Sequence, residues 1–314
     1  MSFTAELTPS AIKVFGYALD ALVKFSDELH FEARKDQLII WSVNMSMTAQ
    51  AIIRLSPKLF TKYKIKQSKN NNNTEPSNPT TVSCRVLVKA LRKIFRHNQN
   101  ITGHIEYCEI KLNENSSNNQ SAVVRDRLYL KFVCTSGMTK THSLWYADSE
   151  KIQTLYNKNG PHSFSVDPVL ISDYINLMDP RIQDITFVFL SNQIIMKTFW
   201  ERSLTKTGGK PMQSEFKLNP SDFIAYSVDD GVTITIGIKE LRTTLNYGID
   251  SSCVLVASFE GPGKPIVFTL QQSGTMLADF AIMAHVETDS IAHSTGLSES
   301  NISINTDGNF TSNN

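Results

Sequence analysis

The chain has 314 residues, of which 41% are hydrophobic and 19% are charged, and its formal net charge is +1. This composition excludes a chain that is disordered throughout, and the length is sufficient for two domains. Because the net charge is close to zero, a strongly basic surface must be local and offset by acidic residues elsewhere.

The sequence carries no signal for a membrane or for secretion. No apolar stretch approaches the roughly 20 residues of a membrane span, and no apolar run follows a basic start. The four cysteines, Cys84, Cys108, Cys134 and Cys253, are scattered without a C-x-x-C pair. We therefore expect reduced, mostly buried thiols in an intracellular protein.

The first predicted element is a helix over Pro9–Phe25, with Thr8 as its N-cap and a proline at its first position. Lys13 and Lys24 belong to the polar face of this helix. Three strand-like runs follow, at residues 27–33, 37–43 and 48–55. The Asn-rich stretch 66–79 is too polar to be buried, and it is expected to be a disordered loop.

The second predicted helix, Cys84–His97, carries apolar residues on one face and only basic residues on the other. The basic residues are Arg85, Lys89, Arg92, Lys93 and Arg96. An ordinary surface helix with a solvated charged face would also fit this pattern. The absence of any acid from the polar face favours contact with a row of phosphates, because soluble helices usually mix charges of both signs.

The rest of the chain repeats the same order of elements. Two further helices are predicted over residues 168–178, capped by Asp167, and 239–247, with Gly248 as the stop signal. Strands are predicted at residues 102–112, 126–134, 138–146, 184–190, 193–201, 212–218, 232–238, 253–259, 265–270 and 276–286. Apart from the run 232–238, which leads into the fourth helix, one helix followed by three strands therefore recurs four times, which indicates duplicated units.

Five stretches resemble a known family. They are Phe132–His142 (FVCTSGMTKTH), Lys93–Arg96 (KIFR), Lys239–Arg242 (KELR), Pro262–Thr269 (PGKPIVFT), and the strand from Asp279 that ends in Glu287-Thr-Asp289. Taken in order, they resemble DNA sliding clamps, and more specifically the Rad-nine-type subunits of the heterotrimeric checkpoint clamp, the nine-one-one complex. The similarity spans about Phe3 to Asp289.

The resemblance implies an α+β DNA-clamp (PCNA-like) fold, with two similar domains that each carry two helices packed on antiparallel sheets. Residues 1–146 and 162–289 would be the two domains, residues 147–161 the connector, and residues 290–314 a disordered tail. The helices would line a ring around DNA, and the lining would be more basic in the first half of the chain. The lining residues would be Lys13, Lys24, Arg85, Lys89, Arg92, Lys93, Arg96, Lys239 and Arg242.

Ring closure would join two sheet edges of neighbouring subunits, carried over by position to residues 138–146 and 212–218. The interface residues would be Met138, Lys140, His142, Leu144, Tyr146, Met212, Glu215, Phe216 and Leu218. Both stretches could instead be internal strands. Partner proteins would contact Asn44, Ser46, Met47 and Lys264, and phosphorylation would fall on Ser290, Ser294, Ser298 and Ser300.

The turn Asn44–Thr48 departs from the family pattern, because an arginine that is usual there is missing. The expected partners are two other clamp-like subunits, double-stranded DNA, a clamp loader, and checkpoint and repair proteins. The expected location is the nucleus, and neither a cofactor nor a metal is implied.

Three alternatives stay open. A homotrimeric processivity clamp would share the fold. A nuclease would need clustered carboxylates, for which Asp179, Asp229 and Asp230 are the candidates, although no sequence spacing groups them. The chain could also be an unrelated binding module whose basic helix contacts acidic protein. None of the usual nucleotide, hydrolase or zinc motifs is present.

Overall fold

The computed structural model describes residues 2–66, 81–99, 104–113, 127–149, 153–154, 156–199 and 213–286. Within these residues the chain forms four α-helices: α1 (Pro9–Leu22), α2 (Val88–Gln99), α3 (Pro168–Asn176) and α4 (Ile238–Asp250). The strands of the first half are β1 (Ser2–Leu7), β2 (Glu28–Ala33), β3 (Leu38–Val43), β4 (Ala49–Leu55), β5 (Phe60–Lys66), β6 (Val82–Leu87), β7 (Ile105–Asn113), β8 (Arg127–Cys134) and β9 (Thr139–Trp145). The strands of the second half are β10 (His162–Val166), β11 (Asp184–Phe189), β12 (Ile194–Phe199), β13 (Glu215–Leu218), β14 (Ala225–Ser227), β15 (Thr233–Gly237), β16 (Leu255–Phe259), β17 (Pro265–Gln272) and β18 (Met276–Met283).

The two halves of the chain have the same topology. A five-stranded sheet has the order β5-β1-β7-β8-β9, and a four-stranded sheet has the order β13-β12-β11-β15. The nine-stranded sheet has the order β14-β10-β16-β17-β18-β4-β3-β2-β6. Its second-half strands, β14-β10-β16-β17-β18, repeat the five-stranded sheet, and its first-half strands, β4-β3-β2-β6, repeat the four-stranded sheet. Each second-half strand occupies the place of the first-half strand whose number is lower by nine, so that β10 corresponds to β1 and β18 to β9. The predicted duplication is therefore confirmed.

The halves are joined through a single ladder of the nine-stranded sheet. Strand β18 pairs antiparallel with β4, from Met276 opposite Leu55 to Ile282 opposite Ala49. Both strands are buried along most of their length, because apolar residues point to both faces. The sheet therefore crosses from one half to the other without an edge.

The hydrophobic core is also continuous across the two halves. A single cluster of buried residues runs from Phe3 to Ala284. Phe15 of α1 and Phe95 of α2 pack with their ring centroids 4.9 Å apart, and Phe25 packs against Phe280 of β18 at 5.8 Å. Core packing therefore holds the helices on the sheets and the halves on each other.

The predicted starts of two helices are confirmed. The Thr8 side chain accepts a hydrogen bond from the Ala11 amide, and the Asp167 carboxylate accepts one from Val169. The predicted stop at Gly248 is wrong, because α4 continues to Asp250. A Cβ at position 248 would lie 3.1 Å from Pro168 Cγ, so this glycine permits the close packing of α3 on α4.

The predicted count of three strands holds after α4 but is too low after α1, α2 and α3, because β5, β6, β10 and β14 were missed; β1, which precedes α1, was missed as well. Four of these strands have five residues or more, and β14 has three. The helical spacing of Arg85 and Leu87 with the residues of α2 predicts a helical turn where the structure has the end of strand β6. Its pairing with β2, which no local pattern shows, decides its conformation.

All four cysteines are free and buried, as the sequence predicted. Burial raises the pKa of the Cys84 and Cys108 thiols, which therefore stay protonated at neutral pH.

Candidate nucleic-acid interface

The four helices form one layer. Helix α1 packs between α2 and α4, and α4 packs between α1 and α3. The contact between α1 and α4 links the two halves on this side, as the β4–β18 ladder does within the sheet. Side chains that point away from the sheets along this layer form a single surface, which we call the helix face.

Helix α2 begins at Val88, so the first four residues of the predicted helix, Cys84 to Leu87, belong to β6 instead. Arg85 lies on β6, where its Nη1 is 2.8 Å from Glu28 Oε2 and its backbone pairs with Ala147. Leu87, assigned to the apolar stripe, is 63% exposed. Arg85 is therefore not part of the helix face, which corrects its place in the predicted lining.

Two further basic residues of α2 are paired with acids from neighbouring segments. Lys89 Nζ is 2.7 Å from Asp27 Oδ1, and Arg92 Nε donates to Asp20 of α1. The basic face of α2 has no acid of its own, but packing against α1 and the segment after it supplies two. Exposed pairs of this kind are worth up to about 1 kcal/mol, and they reduce the local positive charge.

Lys93 and Arg96 are the uncompensated cations of α2. Both are exposed, and neither forms an ion pair within the described part of the chain. Lys13 of α1 is exposed in the same way, and Lys24 is exposed in the turn that follows α1. These long, mobile side chains can follow a phosphate backbone without fixing its register.

The second half contributes less positive charge to the helix face. Lys239 is exposed on α4, whereas Arg242 is half-buried and its Nε has no hydrogen-bond partner among the described groups. Helices α1 and α2 together carry five Lys or Arg residues and one acidic residue. Helices α3 and α4 together carry two Lys or Arg residues and three acidic residues. The expected excess of positive charge in the first half is present in these helices.

Strands β9 and β13 each occupy the end of a sheet. The Cys134 amide donates to the Met138 carbonyl, and the Thr198 amide donates to the Ser214 carbonyl. Because hydrogen-bonded pairs alternate along antiparallel strands, the residues whose backbone groups face the open side can be assigned. They are Thr139, Thr141, Ser143 and Trp145 on β9, and Glu215 and Lys217 on β13.

Most residues predicted for the subunit interface do not present their backbone groups or side chains to the open edge of their strand. By the same alternation, the backbone groups of Lys140, His142 and Leu144 bond to β8 rather than facing the open side. Leu218 is 2% exposed, so its side chain is buried within this chain. Phe216 packs on Tyr174, with ring centroids 5.3 Å apart. Met138 is 54% exposed in the β8–β9 turn, whereas Tyr146 packs against the core; Met212 lies outside the described residues.

The predicted partner-binding turn is held by its own side chains. Asn44 Oδ1 accepts from the Thr48 and Ala49 amides at 2.9 and 3.0 Å, and the Ser46 and Thr48 hydroxyls are 2.8 Å apart. Met47 takes a φ of +56° and is 65% exposed. Lys264 is exposed in the turn that precedes β17. The predicted phosphorylation sites, Ser290, Ser294, Ser298 and Ser300, and most of the loop 66–79 lie outside the described residues.

Sequence reasoning missed a buried carboxylate at the junction of the two halves. Asp279 of β18 is fully buried, and its oxygens lie 2.5 Å from Arg54 Nη1 and 2.6 Å from Lys158 Nζ. The Tyr156 and Thr269 hydroxyls donate to the same carboxylate at 3.2 and 3.0 Å. Asp279 therefore binds β4, β17 and the connector at once, although the sequence marked it only as part of a family motif.

The carboxylates considered for a nuclease are not brought together. Asp179 pairs with Arg181, Asp230 accepts from the Ser191 amide, and Asp229 Oδ2 is 3.9 Å from His162 Nδ1. Among the described residues, no group of three or more His, Cys, Asp or Glu side chains has metal-binding geometry. In the same part of the chain, no helix is long and apolar enough to span a membrane.

Comparison with known proteins identifies the family to which the chain is similar. A family model described as Rad9 matches residues 15–286. The chain is 23% identical over 305 residues to the cell cycle checkpoint control protein Rad9 of Drosophila melanogaster, covering 97% of this chain and 60% of that protein. It is 23% identical over 292 residues to the DNA repair protein rad9 of Schizosaccharomyces pombe, covering 85% and 67%. The chain thus spans about three fifths to two thirds of these relatives.

Solved structures with the same fold include PCNA proteins. PCNA from Thermococcus kodakaraensis matches with a TM-score of 0.67 at 12% identity, covering 90% of this chain and all of that one. The PCNA2–PCNA3 complex from Sulfolobus tokodaii gives 0.65 at 15% identity, with the same coverage. The predicted α+β DNA-clamp fold is confirmed.

Proposed function

The chain belongs to the Rad9 family, and from that premise we propose that it is a non-enzymatic subunit of a ring-shaped checkpoint clamp. The ring would encircle double-stranded DNA in the nucleus and serve as a scaffold for checkpoint signalling and repair proteins. Its other members would be two clamp-like subunits, and a clamp loader would open and close it. Residues 1–146 and 162–289 would be its two clamp domains, with residues 147–161 as the connector.

The junction between the halves is the observation that carries this proposal. Strand β18 pairs with β4 inside the chain, and the topological counterparts of these strands are β9 and β13. Both of those counterparts lie at sheet ends with open backbone groups. If β9 of one subunit pairs with β13 of the next, the internal junction is repeated between chains. A head-to-tail contact of this kind gives a ring when the rotation from one subunit to the next closes.

The helix face supplies the surface that such a ring needs. A clamp must hold DNA while allowing it to slide, so its attraction to phosphates must not depend on sequence. Lys13, Lys93 and Arg96 are exposed cations on adjacent helices. We propose that they line the ring together with Lys24, Lys89 and Lys239, whereas Arg85 does not.

The experiment is reconstitution of the ring with two candidate sister subunits, followed by loading on nicked circular DNA. We expect the complex to remain on the circle in high salt and to be released once the circle is linearised, because only a closed ring is held topologically. A stable trimer of this chain alone would favour the homotrimeric alternative. Retention that does not depend on circularity would contradict the proposal.

The contribution of the helix face is tested separately, with the assembled ring and a short linear duplex. Replacing Lys93 and Arg96 by glutamine should weaken binding and reduce the slope of log K against log salt by about 0.9 for each phosphate that the ring no longer neutralises. The matched control is Lys35→Gln with Lys58→Gln, which removes two exposed lysines outside the helix face. Equal slopes for both double variants would rule out the proposed lining.

A further inference from the structure

A second basic surface lies on the opposite side of the five-stranded sheet from the helices. In β1, Phe3, Ala5 and Leu7 are buried, whereas Ser2, Thr4 and Glu6 face outward. Helices α1 and α2 contact β1, β7 and β9 on the buried side. The outward side carries Lys62, Lys64, Lys66, Lys111, Arg127 and Lys131, which we call the lysine face.

The cations of the lysine face are only partly compensated. Register places Lys64, Thr4, Lys111, Tyr129 and Ser143 in one row across the sheet. The next row contains Lys62, Glu6, Glu109, Lys131 and Thr141. Glu6 and Glu109 are the acids of these rows, and Lys62 Nζ binds Glu6 Oε1 at 2.7 Å. The surface is therefore strongly positive although the chain has a net charge of only +1.

The fold does not require this charge. The second half builds the same sheet from β10, β14, β16, β17 and β18, and none of these strands contains a lysine or an arginine. Since the two halves share the same topology, the fold itself does not need these charges, and the basic residues of the first half point to a ligand rather than to a structural need.

Two exposed aromatic side chains accompany the cations. Tyr129 is 40% exposed beside Lys111, and Trp145 is 48% exposed at the end of β9. The Arg127 guanidinium lies 3.8 Å from the centre of the Trp145 ring. A sheet face that carries exposed aromatic rings beside cations suits unpaired bases, which stack on the rings while their phosphates meet the cations.

We propose that the lysine face binds single-stranded nucleic acid on the outside of the molecule. A duplex keeps its bases stacked internally, so it would leave the aromatic side chains unused. An acidic protein segment would likewise use the lysines alone. The proposal does not depend on ring assembly, because the lysine face and the helix face lie on opposite sides of the sheet.

The test uses the purified full chain and a labelled oligothymidylate, with binding measured by fluorescence anisotropy over a range of salt concentrations. Lys64→Gln with Lys111→Gln should reduce the slope of log K against log salt by about 0.7 for each lysine. Tyr129→Ala should weaken binding about tenfold and leave the slope unchanged, because it removes stacking and no charge. Lys93→Gln with Arg96→Gln, on the helix face, is the matched control and should retain the wild-type slope with this probe.

Three results would overturn the proposal. The first is unchanged oligothymidylate binding in the lysine variant. The second is weaker binding by the lysine variant but not by Tyr129→Ala, or an equal loss of duplex binding in the lysine variant, since either indicates a general contact with polyanions. The third is lysine-dependent binding of polyglutamate without binding of oligothymidylate, which would assign the surface to acidic protein. None of these outcomes bears on the helix face.

Discussion

At the scale of single residues, Asp279 shows how one side chain can fix the relation between distant segments. Its buried carboxylate accepts hydrogen bonds from β4, from β17 and from the connector. Burial raises the pKa of the Tyr156 phenol, so Tyr156 remains a donor to Asp279. A buried charged group is stabilised by the hydrogen bonds and ion pairs that replace water around it.

Asp279→Ala should lower the free energy of unfolding by about 3 kcal/mol, because it leaves Arg54 without its buried partner. The control is Lys158→Gln, which removes a partner whose side chain is 40% exposed. That change should cost less than about 1 kcal/mol. Urea unfolding followed by circular dichroism measures both values, and equal small losses would contradict the buried role of Asp279.

At the scale of elements, the open edge of β9 is the feature that bears most directly on assembly with other chains. An unpaired edge is a template for another strand, and the alternation of hydrogen bonds directs the Thr141 amide toward it. The position of β9 in the chain predicted an exposed edge, but the residues that present their backbone became identifiable only from the ladder with β8.

Thr141→Pro should abolish or strongly weaken assembly with sister subunits, because proline removes an amide that the neighbouring strand would bind. The isolated chain should lose little stability, since this amide does not bond to β8. Thr141→Val keeps the amide and the β-branched shape, and it should assemble like the wild type. Analytical ultracentrifugation measures assembly; normal assembly of a folded Thr141→Pro chain would place the contact elsewhere.

At the scale of the whole molecule, the two halves share a topology and differ in charge. One core and one sheet run through both halves, so the two halves are packed together as one unit. Basic residues nevertheless concentrate in the first half, on both sides of its five-stranded sheet. Because the two halves share a topology and differ in charge, the residues that stabilise the fold can be distinguished from the residues available to bind a ligand.

We expect the two halves to unfold together, because the β4–β18 ladder and the α1–α4 contact leave neither half with a complete interface of its own. Tryptophan fluorescence of a Trp200→Phe variant, which reports on Trp41 and Trp145 of the first half, and far-ultraviolet circular dichroism should give the same urea midpoint. Two separated transitions would show that the halves are independent.

The sequence alone determined the features that depend on neighbouring residues. Local spacing predicts the caps at Thr8 and Asp167, the four amphipathic helices and most strands. The basic composition of α2 can be read directly from the sequence. Only the tertiary structure decided that Arg85 belongs to a strand and that Asp20 and Asp27 neutralise part of the helix face. It likewise gathered the lysines of β5, β7 and β8 onto one surface. These outcomes depend on pairing between segments far apart in the chain, and local periodicity carries no information about such contacts.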